Sequence, residues 1–330
     1  HLWVLINQID ELKGRWIGGA EINPQALRRL KRSVLITSTG ASTRIEGTRL
    51  SDEDVEKLMR GLSMQKFTDR DKQEVQGYYE LLENVFNSYN KIIFSESSIQ
   101  HLHKELLKYV EKDKLHRGAY KKTENRVEMV GETGQSVAVL FDTTPAWLTP
   151  KEMLELVEET KETISLKEIH PLLIIGNFLV EFLNIHPFQD GNGRLSRVLT
   201  NLLMLQFGYV YVPYVSHEKL IEDNKAEYYV ALRKSQKTLK TNNPNIESWL
   251  EFFLNTLLIQ ARQAIELLSK ENIEKLLSPK QLAVWEYVCK ATETTPGEIS
   301  KKTKVARPTV SQALNILLKL KKVERIGQGR

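Results

Sequence analysis

Residues 186–197, HPFQDGNGRLSR, bring together a histidine, a carboxylate, two glycines around an asparagine, and two arginines. Gly191, Asn192 and Gly193 can point successive backbone N–H groups at an anion, and a helix starting there adds positive potential. Arg194 and Arg197, three residues apart, fall on neighbouring positions of the first turn and can face the same phosphates. Asp190 beside such a nest would repel phosphate unless a cation bridges them, as Mg²⁺ does with one protein carboxylate and several phosphate oxygens. His186, with an ordinary pKa near 6.5, suits a general base for a hydroxyl nucleophile. Phe188 reads as a plug into the core, and Pro187 predicts extended geometry at His186, ending the preceding helix. A tight turn with a satisfied core histidine would explain any one of these residues but not the whole set. A dinucleotide-binding turn does not fit, because the preceding segment reads as helix and Ser196 replaces the third glycine.

The order His, any, Phe, any, Asp or Glu, Gly-Asn-Gly-Arg, any two, Arg resembles the signature of Fic-domain (Fic/DOC family) proteins, and every fixed position is filled. The resemblance implies an all-helical Fic fold that binds ATP with Mg²⁺ and attaches AMP to a Ser, Thr or Tyr hydroxyl of a target protein. It further implies that His186 is the base and Asp190 the metal ligand. Gly191, Asn192 and Gly193 would form the anion hole, with Arg194 and Arg197 as phosphate ligands.

Residues 42–47, STRIEG, resemble the inhibitory motif of many Fic proteins: Ser or Thr, three residues, Glu, then Gly or Asn. By that resemblance Ser42, Glu46 and Gly47 form an inhibitory segment, with Glu46 paired to Arg197 and blocking productive placement of the γ-phosphate. Thr43 and Glu46 also have the spacing of a capping box that would open a helix. Gly47, followed by a fresh cap at Ser51, predicts instead that a helix ends here. A carboxylate at a helix C-terminus faces the unfavourable end of the dipole and gains from a cationic partner.

Period-3.6 patterning dominates the elements that must hold these residues, so the expected fold class is mainly α. Helices are expected over 2–16, from Pro24 towards Glu46, from Ser51 through Leu62, over 69–90 and over 97–110. His101 and His103 in the last of these lie on different faces and read as structural or solvent-facing. PLLIIGNFLVEFLNI (171–185) is apolar nearly all round, which marks a central buried helix, and 194–206 is similar. Helices over 217–237 and from 245 to about 270 close the core. The exception is 116–145, where RVEMV and SVAVLF flank the turn GETGQ and predict a hairpin. By resemblance this is the Fic flap, whose edge holds a target peptide by strand addition.

From Ser278 onward three helical patterns, PKQLAVWEYVCKA, TPGEISKKTK and RPTVSQALNILLKL, resemble a winged helix-turn-helix whose second wing strand would return just where the sequence stops. Val310, Leu314 and Leu317 read as its packed side. Arg307, Thr309, Ser311, Gln312 and Asn315 read as outward, where they can contact DNA phosphates or base edges. Nine Lys/Arg against one acid in 300–330 leave 38 basic and 41 acidic residues elsewhere, so a polyanionic partner would be met at this end. The single cysteine, Cys289, excludes an intrachain disulfide and, in its apolar setting, reads as an inert core residue.

The expected organisation is an N-terminal helical region (1–90) with the inhibitory motif, a Fic catalytic core (91–275) and a winged helix-turn-helix (276–330). The expected function is an autoinhibited protein adenylyltransferase using ATP and Mg²⁺. Removal of AMP or other nucleotidyl transfer at the same site, and a nucleotide-sensing DNA-binding regulator, are the alternatives. No signal-peptide pattern or membrane-length apolar stretch is present, so a cytoplasmic protein without a membrane partner is expected, and a homo-oligomer is left open.

Overall fold

The computed structural model describes residues 1–19, 24–61, 69–130, 136–291, 293–319 and 322–326, and divides the chain into two compact units, His1–Ile265 and Glu266–Arg330. The first unit contains α1 (Leu2–Gly19), α2 (Pro24–Ile45), α3 (Asp52–Met59), α4 (Asp69–Ser88) and α5 (Glu96–Leu106). The hairpin strands β1 (Arg126–Val130) and β2 (Ser136–Asp142) follow. The unit continues with α6 (Thr149–Leu166), α7 (Pro171–Ile185), α8 (Asn192–Gln206), α9 (His217–Asp223), α10 (Lys225–Leu239) and the start of α11 (Glu247–Leu276). The division at Ile265/Glu266 therefore falls inside α11, N-terminal to the boundary expected at 275/276.

α7 and α8 form the centre. Leu172, Ile175, Phe178, Leu179, Val180 and Phe182 of α7 and Leu195, Val198, Leu199 and Leu202 of α8 are buried, which explains why the α7 stretch shows no polar face. Each such side chain contributes roughly 1.5–3 kcal/mol of transfer free energy. α2 packs on α9 and α4, and α4 packs on α8, so the STRIEG segment at the end of α2 is carried to the start of α8. A capping box at Ser51, reciprocated by Asp54, starts α3 as its sequence predicts. The stretch expected as one helix over 217–237 is two, α9 and α10, separated at Asn224. β1 and β2 pair antiparallel with Arg126 opposite Asp142 and Val127 opposite Phe141. The turn residues between them lie outside the described residues, as do 62–68, where α3 was expected to reach Leu62.

The second unit contains α12 (Pro279–Val288), α13 (Pro296–Thr303) and α14 (Arg307–Lys319) around Val284, Ile299, Val305, Val310 and Ala313. Capping boxes at Ser278 with Gln281 and at Thr295 with Glu298 start α12 and α13. Cys289, expected in the core, is exposed: it follows the last residue of α12, where the amphipathic stripe has already ended. Residues 320–321 and 327–330, where the wing was expected, lie outside the described residues.

Candidate functional site

The loop between α7 and α8 is built by two left-handed residues. His186 ends α7 at φ 53, ψ 60, so the extended conformation expected from Pro187 is not adopted; the helix ends by a left-handed cap, with His186 N–H still bonded to Phe182 O at 2.9 Å. Gly191, at φ +81, caps α8, a backbone conformation that costs glycine no Cβ clash. Between them Phe188 is fully buried, and its backbone is held by Asn192, whose Oδ1 accepts from Phe188 N–H (2.9 Å) and whose Nδ2 donates to Phe188 O (2.7 Å). Asn192 thus secures the loop through its side chain.

His103 of α5 is the part of this arrangement that the sequence concealed. Its ring stacks on Phe188 at 3.8 Å and 8°. Nδ1 accepts from Gly118 N–H at 3.0 Å, which fixes the tautomer so that Nε2 donates to Asp190 O at 2.9 Å. Burial holds its pKa down to about 4, so this neutral form persists at ordinary pH. His101, two residues away, is exposed. The available signal was the i, i+3, i+4 burial pattern Ile99, Leu102, His103, Leu106.

Asp190 Oδ1 accepts from Gly191 N–H at 2.6 Å, and Oδ2 receives Arg194 Nη2 (3.1 Å) and Arg70 Nη2 of α4 (2.9 Å). Burial alone would raise its pKa, but Arg194, the Gly191 N–H and Arg70 outweigh that and hold it below the ordinary value. Arg194, 2% exposed, is locked from its other side by Glu74 at 2.9 Å. Arg197, equally buried, donates from Nε to Ser42 Oγ (2.7 Å) and from Nη2 to Ser42 O (2.9 Å) and Glu46 Oε1 (2.7 Å). Burial opposes its charge, yet Glu46 and the nearby Tyr228 and Tyr78 raise its pKa further, so it is permanently cationic. Thr43 Oγ1 bonds back to Thr39 O at 2.8 Å instead of opening a helix, in keeping with a helix end at STRIEG.

A Cβ at Gly193 would collide with Glu46 Oε1, so the carboxylate lies against the start of α8. The cavity at this point, about 120 Å³, is lined by Glu46, His186, Asp190, Gly191–Gly193 and Arg197, and by Tyr228, Tyr229, Leu232, Arg233 and Gln236 of α10. The α10 residues were missed, although Tyr229, Leu232, Arg233 and Gln236 fall at i, i+3, i+4, i+7 on one face. Among the described residues, Arg233 Nε, both amide atoms of Gln236 and Arg197 Nη1 have no hydrogen-bond partner, so they are free to meet a polar ligand.

His186 opens onto the same cavity. Its Nδ1 lies 3.4 Å from Leu183 O, and burial, reinforced by Lys121, lowers its pKa to about 4. Lys121 itself is buried, donating to Ile185 O (3.1 Å), Asn125 Oδ1 (2.8 Å) and Thr143 Oγ1 (2.7 Å), while its N–H reaches Pro187 O (2.9 Å). Asn125 and Thr143 are the two feet of the hairpin, so Lys121 ties the hairpin to the loop carrying His186.

Among the described residues, no group of three or more His, Cys, Asp or Glu could hold a metal ion. A cation shared with phosphate oxygens needs no such cage, and Asp190, already countered by Arg70 and Arg194, offers the hard oxygen it requires.

The model of the Fic/DOC family matches residues 93–204. A Fido domain-containing protein of Dictyostelium discoideum is 33% identical over 91 residues, 27% of this chain and 59% of that protein. Protein adenylyltransferase Fic of Drosophila mojavensis is 23% identical over 235 residues, 69% of this chain and 42% of that protein. The chain thus spans only about half the length of these curated relatives. Among solved structures, a Fic family protein from Desulfovibrio desulfuricans G20 superposes with a TM-score of 0.67 at 23% identity, covering 96% of this chain and 89% of that one. Fic-1 from C. elegans gives 0.62 at 18%, covering 81% and 73%. Residues 93–204 thus match the Fic/DOC family model, and the helical frame around the loop resembles the fold of solved Fic proteins.

Proposed function

We propose that the protein is an autoinhibited adenylyltransferase that moves AMP from ATP to a protein hydroxyl. The observation that carries this reading is the Glu46 carboxylate, lying against Gly193 and paired with Arg197 at 2.7 Å, where a phosphate would otherwise sit. His186, neutral at ordinary pH, takes the hydroxyl proton; the hydroxyl oxygen forms a bond to the α-phosphorus, and the bond from that phosphorus to the bridging oxygen breaks, releasing pyrophosphate. Asp190 would hold Mg²⁺, which supplies charge neutralisation along the triphosphate. Arg194, Arg197 and the N–H groups of Gly191–Gly193 would hold phosphate oxygens. Tyr228 and Tyr229 supply aromatic surface for a base, and Gln236 an unsatisfied donor and acceptor for its edge. Glu46 must leave Arg197 before the γ-phosphate can be placed productively. The hairpin, whose feet Lys121 ties to the His186 loop, would present its edge to a target segment.

Intact-mass measurement of the Glu46→Gly protein after incubation with MgATP and a cell extract tests this. A mass gain of AMP on the chain or an extract protein supports it, and the absence of any AMP adduct contradicts it.

Two further readings rest on particular observations. Glu46 and His186 line one cavity, so the same carboxylate could orient a water for AMP removal, which an AMP-bearing protein substrate would reveal. In the second unit Arg307, Ser311, Gln312 and Asn315 are exposed on α14 beside exposed Lys301, Lys302 and Lys304, while Thr309 is half-buried. That face suits duplex DNA, and binding that weakens steeply with salt and persists in His186→Ala would support it.

A further inference from the structure

We infer that Arg70 is the resident counter-cation of Asp190 and gives up that place to a divalent ion, so that it sets the cation affinity of the site; this rests on the nucleotide-transfer reading above. Asp190 Oδ2 is contacted by two guanidinium groups that differ in freedom. Arg194 is 2% exposed and clamped between Glu74 and Asp190, so it cannot withdraw without leaving a buried charge unpaired. Arg70 is 43% exposed, and its Nη2 contacts Asp190 at 2.9 Å while its Nε holds Glu74 at 2.8 Å. Nη2 also lies 3.9 Å from the buried carboxylate of Asp113.

Arg70 therefore neutralises the acidic side of the loop from a position it can leave by side-chain rotation. Its Nε bond to Glu74 belongs to the first turn of α4 and does not require the Asp190 contact. A cation held by Asp190 would stand close to Nη2 of Arg70, and the two positive charges would repel. Glu74, shared by Arg70 and Arg194, keeps both arginines assembled, so the exchange is confined to one guanidinium.

The test is Mn²⁺ binding, read by the loss of free-ion paramagnetic resonance signal, on protein saturated with an ATP analogue that cannot be cleaved at the α-phosphate. Nucleotide binding is measured separately in chelator. Wild type, Arg70→Gln, Arg70→Lys and Asp190→Asn are compared, each also in the Glu46→Gly background. Arg70→Gln is expected to bind Mn²⁺ about three- to tenfold more tightly than wild type, with the gain shrinking at high salt. Arg70→Lys should stay near wild type, because it keeps the charge. Because the triphosphate itself binds Mn²⁺, each affinity is compared with that of the free analogue. An affinity unchanged or weaker in Arg70→Gln, while Asp190→Asn weakens Mn²⁺ binding, overturns the role of Arg70 alone. An affinity unchanged in Asp190→Asn overturns both this role and the assignment of Asp190 as the metal ligand.

Discussion

Arg197 holds Ser42 and Glu46 simultaneously: Nε and Nη2 grip the Ser42 hydroxyl and carbonyl, and Nη2 also meets the Glu46 carboxylate at 2.7 Å. Arg197 already lines the cavity, and of its two partners Ser42 is buried while Glu46 is about one-third exposed, so on the proposed function only the Glu46 contact need break. One partner keeps the arginine in place, and the other occupies it.

Removing the occupying partner should therefore activate without unfolding. Glu46→Gly is expected to raise AMP transfer by about 5- to 150-fold, the range of a coupling of roughly 1–3 kcal/mol. Its melting temperature should fall while the protein stays folded, since Arg197 loses its carboxylate partner but keeps its bonds to the Ser42 hydroxyl and carbonyl. Initial rates and thermal melts check this; unchanged activity with a working target would remove the inhibitory role of Glu46.

The end of α2 is itself held in position. Arg44 grips Glu222 with Nε and Nη2 at 2.6 and 3.1 Å, and Nη1 reaches Leu50 O at 2.9 Å, while Lys225 caps Ile45 O at 2.8 Å. Arg44→Ala should loosen Glu46 and give partial activation, about two- to tenfold, with a loss of roughly 1–3 kcal/mol in stability. Denaturant melts alongside rates check both; the stability loss without activation would separate Arg44 from the proposed inhibitory segment.

His186 should show no titration near pH 6.5 in the nucleotide-free protein. Burial and Lys121 lower its pKa to about 4, so the neutral base is already the main form at pH 5. Carbon-detected histidine resonances followed from pH 8 to 4.5 test this, and a His186 midpoint near 6.5 would contradict it.

His103, His186 and His217 all have pKa values lowered by burial to about 4. The unfolded chain, with histidines near 6.5, binds more protons between those limits, so folding stability present above pH 6.5 is lost as pH falls towards 4. Each contributes on the order of 1–2 kcal/mol of loss by pH 5. Urea melts at pH 7.5, 6 and 5 should show midpoints falling with acid, and His217→Gln should flatten that slope if it folds; equal slopes in the two proteins would contradict this origin.

Much of the frame could be read before the structure, because α7 is bounded by His170-Pro171 and His186-Pro187 and α3 opens on the Ser51 cap. The residues of the loop and of STRIEG were legible because their chemistry is packed into short local patterns. His103, Arg70 and Glu74 were not, since each acquires its role through a partner about 90 to 120 residues away. The α10 face looked like any amphipathic helix until the cavity beside Gly193 gave its tyrosines and Gln236 a common direction. The left-handed His186 escaped because the local effect of Pro187 yields to the cap that carries its backbone back to Phe182.

The most direct measurement uses ATP labelled at either the α- or the γ-phosphate, with wild type, Glu46→Gly and the Glu46→Gly, His186→Ala double variant incubated with an extract. Above the labelling of extract alone, α-label on protein is expected to be strong with Glu46→Gly, weak in wild type and absent from the double variant, with no added γ-label. γ-label above that of extract alone, or added α-label that survives the loss of His186, would contradict this.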